Sequence, residues 1–319
     1  MKIQDLAKLA GVSPATVSRA FNRHPNIRED VRQRILELAQ QHGYRPRTSA
    51  KTRRVAVILP DHEIYPIRNC LEMVMTAIAH ELPRRGFSIE VLPLGNLDRL
   101  GSMPCSGAIA VGAEPDDFAG WAERFPCPLV LVDRAPGRPG RMVHSVRSDE
   151  NQGMALAIGH LKARGCRAVG CIVHGAAGHG NVDARCAAIR RALVAHGLPA
   201  DDACIRVSQD EGYVNVIGGM LRQGVDALFC PGGNAGIIAA FALAQFNRRV
   251  PEDVSLLASE NLQFSRLATP PQSTIAQDHL GLANLVADIL DAYRDGLLPE
   301  AERVLPYKLI PRASVRPSG

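Results

Sequence analysis

The sequence lacks the features of several protein classes. It has no apolar run long enough to span a bilayer, and its N-terminus does not show a charged start followed by an apolar core and a cleavage site. Its eight cysteines include no CxxC pair and are scattered through a 319-residue chain that is large enough to fold without disulfides. We therefore predict a cytoplasmic protein with buried free thiols and no membrane partner.

The sequence also lacks the signatures of catalytic and metal-binding sites. It contains no GxSxG motif. The loop HGAAGHG at 174–180 follows a strand and precedes a helix, which leaves a phosphate-binding interpretation open, but its glycine spacing matches neither a dinucleotide-binding fingerprint nor a P-loop. Cys171, His174 and His179 lack the paired helical spacing and the fourth ligand of a zinc site. We therefore predict no catalytic residue, no metal and no cofactor.

The charge that is present lies unevenly along the chain. Residues 1–54 contain twelve lysines and arginines against four acidic residues, whereas the rest of the chain contains 25 basic and 28 acidic residues. A small cationic segment is thus joined to a larger, slightly anionic body. We expect the two parts to have different partners.

Three short helices are predicted in the cationic segment. The apolar residues of the first recur at three- and four-residue spacing and end at Gly11, where a left-handed C-cap favours glycine. Ser13 is a good N-cap for a second helix, and a third is expected from about Glu29 to His42. Ala7, Gly11 and Val17 have the spacing of a helix-turn-helix. Together with the positive charge, this predicts a DNA-binding headpiece.

The motifs IQDLAKLAGVSPATVSRAFN and REDVRQRILELAQQHGYRP resemble the headpiece of the lactose-repressor and galactose-repressor family of bacterial transcription regulators. The resemblance implies a second helix that reads one half-site of double-stranded operator DNA from the major groove. It also implies a homodimer, or a tetramer, that brings two such helices to a near-palindrome. The positions predicted to contact DNA are Ser13, Pro14, Ala15, Thr16, Ser18, Arg19, Asn22 and Asn26.

Two departures from the family concern the third helix and the linker. Arg28 stands where the family usually has a Ser or Thr N-cap, which is expected to weaken the start of the third helix by about 1 kcal/mol. The family linker inserts a leucine into the minor groove, but Arg53 stands at that position here. We therefore predict that a short basic hinge at 47–54 binds DNA electrostatically, through Arg47, Lys51 and Arg53.

From Val55 onward, short apolar runs alternate with amphipathic stretches, which predicts an α/β fold. Two such series of similar length predict two lobes of doubly wound parallel sheet. With the three-helix headpiece, the predicted domains are the headpiece at 1–46, the hinge at 47–54 and the body at 55–319, with an N-lobe at about 55–146 and 276–305 and a C-lobe at about 147–275 and 306–319.

The family resemblance continues through the body in the segments LVLVDR, SDENQGMALAIGHL, RCAAIRRAL, VPEDVSLLASEN and TPPQSTIAQD. Such bodies resemble periplasmic sugar-binding proteins, and they imply a small-molecule effector, sugar-like or another polar metabolite, in the cleft between the lobes. The predicted effector-binding residues are Tyr65, Asp133, Arg185, Glu260 and Gln277, with His62 and His279 as further candidates to line the cleft. The family's Asn-Asp pair after the strand ALFC is replaced by PGGN at 231–234. This replacement favours a non-sugar effector or a pocket that has lost its ligand.

Two functions stay open on the residues alone. The first is a transcription regulator, more often a repressor in this family, whose DNA affinity is modulated by its effector. The second is a solute-binding protein or a sugar-processing α/β enzyme that carries a basic N-terminal extension. The helix-turn-helix spacing, the lack of an export signal and the lack of a catalytic constellation favour the first, which is not an enzyme.

Overall fold

The computed structural model describes residues 3–21, 27–42, 44, 53–61, 69–135, 142–178 and 181–317. Seven residues singled out from the sequence lie outside this part of the chain, namely Asn22, Asn26, Arg47, Lys51, His62, Tyr65 and His179. Within the described residues, no helix is both long enough and apolar enough to cross a bilayer.

The N-terminal segment folds into three short helices. They are α1 (Ile3–Ala10), α2 (Pro14–Phe21) and α3 (Glu29–Gln41). The residues that hold them together are small or aliphatic, and Leu6, Ala7, Val17 and Ile35 are almost completely buried. Gly11 has a φ of +66°, and its N–H donates to Lys8 at 3.2 Å, so the chain turns sharply between α1 and α2. The predicted helix-turn-helix is confirmed.

The body alternates strands and helices, as predicted. Its first part contains β1 (Arg54–Leu59), α4 (Asn69–Arg84), β2 (Ser88–Pro93), β3 (Gly107–Val111), α5 (Trp121–Arg124), β4 (Leu129–Val132) and β5 (Val143–Ser148). Its second part contains α6 (Glu150–Ala163), β6 (Val169–His174), α7 (Val182–Ala195), β7 (Ile205–Ser208), α8 (Asp210–Arg222), β8 (Ala227–Cys230), α9 (Ala235–Gln245), β9 (Ser255–Ser259), α10 (Leu262–Leu267), β10 (Ser273–Ala276), α11 (His279–Arg294), β11 (Glu302–Leu305) and β12 (Lys308–Ile310).

The strands form two six-stranded sheets. The first has the order β11-β5-β4-β3-β1-β2, and the second has the order β12-β10-β9-β8-β6-β7. Strands β1 to β5 pair in parallel in the first sheet, and β6 to β10 do so in the second, where β12 is antiparallel. In the second sheet the strand order reverses between β6 and β8. In doubly wound sheets, ligands bind outside the carboxyl ends of the strands at such a reversal.

The chain forms two compact units. The first comprises Met1–Asp61, Ile78–Val146 and Ala283–Arg303, and the second comprises His62–Ala77, Arg147–Leu282 and Val304–Gly319. One change of unit, after Val146, coincides with a lobe limit given by the sequence, but the second unit also includes His62–Ala77, which the sequence places in the N-lobe. The later changes, after Leu282 and Arg303, differ by a few residues from the expected 275 and 305, because β10 pairs with β9 in the second sheet and α11 begins in the second unit.

Candidate DNA interface and effector site

Helix α2 turns a polar and small-residue face to solvent. Val17 and Ala20 are buried against α1 and α3, so the positions between them point outward. The Oγ of Ser13 accepts a hydrogen bond from the Thr16 N–H at 3.1 Å, which caps the first turn as predicted. The residues exposed on and before this helix are Ser13, Pro14, Ala15, Ser18 and Arg19, and Thr16 is half-buried. Apart from Asn22 and Asn26, which lie outside the described residues, the candidate contacts on and before this helix are thus exposed or half-buried.

The Arg53 side chain contacts residues of the first unit. Its guanidinium donates to the carbonyl oxygen of Arg85 and lies 5.8 Å from the centroid of the Phe87 ring. Its carbonyl oxygen accepts from the Ser88 N–H at 2.7 Å, which aligns the start of β1 beside β2. DNA would therefore have to compete for this side chain. Contact between Arg53 and DNA stays a prediction.

The carboxyl ends of β6, β8, β9 and β10 bring four chain segments to one edge of the second sheet. These segments, which we call the effector edge, are His174, residues 231–234, Glu260 and Gln277. The His174 N–H donates to the Pro231 carbonyl at 3.2 Å, and the Gly232 N–H donates to the Ser259 hydroxyl at 2.9 Å. Backbone and side-chain hydrogen bonds thus join neighbouring strand ends.

Arg185 reaches this edge from α7 and forms a two-pronged ion pair. Its Nε lies 2.9 Å from one carboxylate oxygen of Glu150, and its Nη2 lies 2.6 Å from the other. Only 13% of the Arg185 side chain and 10% of the Glu150 side chain are exposed. A Cβ placed on Gly232 would lie 3.3 Å from the Arg185 Nη1, so the loop after β8 packs against the third guanidinium nitrogen. Arg185 is therefore buried at the sheet edge and is not an exposed helix arginine.

Glu260 forms a second ion pair of the same type. Arg312 Nη1 and Nη2 lie 2.9 and 3.2 Å from its two carboxylate oxygens, and the Thr274 hydroxyl also donates to it. The exposed fractions of the Arg312 and Glu260 side chains are 16% and 11%. Because both side chains are largely buried, loss of one of them would leave the charge of the other without compensation and would destabilise the fold. Neither Arg312 nor Glu150 was identified from the sequence, because nothing in their local motifs shows which charge they meet across the fold.

The other predicted effector residues are distributed as follows. The Gln277 side-chain amide donates to the Ser148 hydroxyl at 3.0 Å within the second unit. Asp133 follows β4 in the first unit, where it has a φ of +56° and its N–H donates to the Val146 carbonyl at 2.8 Å. Arg185, Glu260 and Gln277 therefore lie in the second unit at strand ends or beside them. Their roles toward an effector stay predictions.

The hydrogen bonds of the loop at 174–178 disfavour phosphate binding by its backbone N–H groups. The Gly175 N–H donates to the Ser208 carbonyl at 3.1 Å, and the Gly178 N–H is 3.2 and 3.1 Å from the two carboxylate oxygens of Asp183. These backbone donors are thus used inside the protein. Within the described ranges, no group of three or more His, Cys, Asp or Glu side chains is arranged to hold a metal ion.

The seven cysteines whose side chains the structure describes are free thiols, and four of them are buried, namely Cys127, Cys166, Cys171 and Cys230. Burial raises the pKa of Cys230, the last residue of β8, to about 12, and it raises that of Cys127 to about 12 as well. Cys171 is completely buried, and burial raises its pKa well above the ordinary value. A thiolate nucleophile is therefore disfavoured at these three positions at neutral pH.

Comparisons with known proteins agree with this architecture at both ends of the chain. Residues 2–47 match the family described as bacterial regulatory proteins, lacI family, and residues 158–315 match the periplasmic binding protein-like domain. The chain is 28% identical over 294 residues to the protein named Probable HTH-type transcriptional repressor ExuR from Bacillus subtilis (strain 168), with 86% of this chain and 85% of that protein covered. It is 24% identical to the HTH-type transcriptional repressor PurR of Aliivibrio salmonicida (strain LFI1238), with 90% of each covered.

Solved structures share the fold over nearly the whole chain. A complex of the transcriptional regulator CelR with cellobiose superposes with a TM-score of 0.73 at 23% identity, covering 98% of this chain and 99% of that one. The lac repressor dimer bound to operator and the anti-inducer ONPF has a TM-score of 0.73 at 20% identity, with 99% of both chains covered. The order of headpiece and two-sheet body is therefore the same in all three.

Proposed function

We propose that this chain, which belongs to the lacI family of bacterial regulatory proteins, is a DNA-binding transcriptional repressor whose operator affinity changes when a small polar effector binds its body. The observation that carries this proposal is the exposed face of α2 beside a tight helix-turn-helix turn. Such a face fits the major groove of double-stranded DNA. The family match covers this headpiece, which disfavours a solute-binding protein or enzyme with an unrelated basic extension.

Within this proposal, residues 1–46 bind the operator, residues 47–54 connect this headpiece to the body, and residues 55–319 bind the effector. Arg19 and the hydroxyl groups of Ser13, Thr16 and Ser18 contact phosphates or base edges, because these groups donate or accept hydrogen bonds from an exposed surface. Pro14 and Ala15 offer only apolar contact, for example with a thymine methyl group. We include Asn22 and Asn26 among the proposed contacts on the family pattern. Arg47, Lys51 and Arg53 are included because a basic hinge is attracted to the DNA phosphates.

We propose that the effector is sugar-like or another polar metabolite and that it binds at the effector edge. Arg185, Glu260 and Gln277 are the proposed contacts there. Asp133 in the first unit and Tyr65, outside the described residues, are proposed as effector-binding residues on the family pattern alone. A fixed guanidinium fork suits ligand hydroxyl or carboxylate oxygens. A thermal-shift screen of the full-length chain against sugars, sugar acids, phosphates and nucleosides tests this, because a ligand of the folded state raises the unfolding temperature. The absence of any shift at millimolar ligand would count against an effector of these classes.

We propose that the chain acts as a homodimer. Helices α9 and α10 expose Phe241, Phe264 and Leu267 by 61%, 57% and 78%, and a groove of about 510 Å³ lies between these helices and the loops that follow them. Exposed large apolar side chains of this kind are typical of protein interfaces, and two headpieces are needed to read a near-palindromic operator. Sedimentation equilibrium distinguishes a dimer from a tetramer, and a monomer at micromolar concentration would contradict the proposal.

We further propose that the protein works by binding alone, without a cofactor, and in the cytoplasm, where operator DNA lies.

Deletion of residues 1–54 tests the DNA-binding role directly. Full-length and truncated protein are titrated against labelled duplexes that tile the promoter of the protein's own gene, and circular dichroism checks that the truncated body stays folded. We expect the full-length chain to select one duplex and the folded body to bind none. Unchanged binding by the truncated body would contradict the proposed function.

A further inference from the structure

Two of the places where the chain enters the second unit lie side by side, namely residues 147–153 and 304–308, which we call the entry segments. One entry begins at Arg147 and the other at Val304, and Glu150 and Tyr307 are the fourth residues of these two segments. The Tyr307 hydroxyl donates to a Glu150 carboxylate oxygen at 3.0 Å. The same carboxylate oxygen accepts from Arg185. One buried carboxylate thus joins a proposed effector contact to both entry segments.

Further contacts fix Tyr307 against α6. The Gln152 side chain accepts from the Tyr307 N–H at 2.8 Å and donates to the Tyr307 carbonyl at 3.2 Å. A Cβ placed on Gly153 would lie only 2.4 Å from the Tyr307 ring, so the ring packs directly on the α6 backbone. The Asp149 N–H donates to the Leu305 carbonyl at 2.8 Å. The two entry segments therefore move as one piece unless several hydrogen bonds break.

We propose that Glu150 and Tyr307 are positioning residues that transmit the state of Arg185 to the two entry segments and thereby set operator affinity. The proposal rests on the proposed function. An effector oxygen that binds Arg185 draws the guanidinium from Glu150. The carboxylate is then left with fewer donors in a buried place, which favours another arrangement of Tyr307 and of the start of α6. An effector can shift operator affinity only through such a difference between two arrangements.

The alternative is that the cluster only stabilises the second unit. The Arg312–Glu260 pair provides a matched comparison, because it has the same two-pronged geometry and similar burial at the same sheet edge. Its partners are Thr274 and the Gln272 carbonyl, which lie on or beside β10 and at neither of the two entry segments. Tyr213 provides a second comparison, because its buried hydroxyl donates to the Ile172 carbonyl at 2.7 Å inside the same unit.

The mildest test is Tyr307→Phe with Tyr213→Phe as the control. Each substitution removes one buried hydroxyl, which donates to the Glu150 carboxylate in Tyr307 and to the Ile172 carbonyl in Tyr213, so both are expected to lower the unfolding temperature of the full-length chain. The probe is the promoter duplex selected by the wild-type protein, without added effector. We expect Tyr307→Phe to change its dissociation constant by about fivefold or more, the lower end of allosteric coupling. Tyr213→Phe should leave it within the error of the titration.

A double-mutant cycle tests the connection to Arg185. Arg185→Gln and Tyr307→Phe are each expected to change operator affinity in the same direction, and the double variant is expected to equal the larger single effect, because both act through Glu150. Arg312→Gln serves as the ion-pair control and should lower stability without changing operator affinity. Additive effects of Arg185→Gln and Tyr307→Phe, or an equal effect of Arg312→Gln, would overturn the proposal.

Hydrogen exchange of the full-length chain separates failure of this inference from failure of the proposed function. In Arg185→Gln, we expect faster exchange in peptides covering 147–153 and 302–308, with no such change in Arg312→Gln. This readout needs no DNA. If the wild-type protein binds no promoter duplex, the proposed function fails while the exchange result still tests the connection. If exchange is unchanged at both segments, the connection itself is wrong.

Discussion

The exposed face of α2 and the effector edge of the second sheet are both polar, but their side chains are used in opposite ways. On α2, Ser18 and Arg19 stand in solvent, while the buried Val17 and Ala20 fix the helix. At the effector edge, Arg185 and its partner Glu150 are each about nine-tenths buried and bind one another. The α2 face leaves its polar groups exposed to solvent, whereas the charges at the effector edge are already paired within the protein.

This difference has an energetic consequence. A substitution on the exposed face of α2 leaves nothing buried without a partner, so we expect it to change DNA binding and not folding. A substitution at the effector edge leaves an uncompensated buried charge, which costs several kcal/mol in folding. Substitutions at the two surfaces therefore separate an effect on DNA binding from an effect on folding stability.

The largest effect on stability is expected from Arg312→Gln. It leaves the Glu260 carboxylate buried with the Thr274 hydroxyl as a donor but without its arginine, and breaking a buried pair costs about 3–5 kcal/mol of unfolding free energy. Urea denaturation of the full-length chain measures this. Adding Glu260→Gln removes the orphaned charge, so the double variant should regain part of the loss. If Arg312→Gln left the unfolding free energy unchanged, the effector edge would tolerate substitution as well as the exposed face of α2, and the contrast between the two surfaces would be wrong.

A comparable but local loss is expected from Leu6→Ala in the headpiece. Leu6 is completely buried among three short helices, and a cavity of this kind costs about 2–5 kcal/mol. A small core cannot absorb that loss, so we expect the headpiece to unfold and promoter binding to disappear, while the unfolding temperature of the body stays unchanged in calorimetry. Leu9→Ala is the matched control, because Leu9 lies on the same helix and is 48% exposed. Equal effects of the two substitutions would contradict the helical packing described here.

The same contrast explains how much of the molecule could be predicted from sequence. The helix-turn-helix was predictable because Gly11, Ser13 and Val17 act on neighbouring residues within a few positions. The alternation of β1, α4 and β2 and of α6, β6 and α7 was predictable for the same reason. In contrast, β5 (VHSVRS), β10, β11 and β12 were not predicted. They are short or polar, and pairing with distant strands makes them extended.

The ion pairs at the effector edge could not be predicted from the sequence. Arg185, Glu260 and Gln277 were identified by position, and all three lie in the second unit at the expected edge or beside it. Their partners Glu150 and Arg312 lie 35 and 52 residues away in the chain. Those pairings depend on tertiary geometry that no local pattern contains, so the sequence could not show that these charges are already paired.

A smaller effect, on binding alone, is expected from Arg19→Ala. Arg19 is exposed on α2, so its loss should leave stability unchanged and weaken operator binding by about 1–3 kcal/mol. Titrations at several salt concentrations identify the contact, because loss of a phosphate contact lowers the salt slope by about 1 while loss of a base contact relaxes specificity. Arg34→Ala on α3 removes the same charge from another exposed position and controls for long-range attraction. Unaltered affinity for Arg19→Ala would refute its placement at DNA.

The smallest effect is expected from Arg53→Leu. This side chain already donates to the Arg85 carbonyl and packs on Phe87, so any DNA contact must be made in competition with the body. We expect operator affinity to fall by no more than one phosphate contact, with a change in salt slope of at most about 0.9. The new leucine restores the side chain that the related linkers insert between base pairs. A large change that depends on the DNA sequence would therefore show that this linker can work as a wedge and that the electrostatic interpretation of residues 47–54 is wrong.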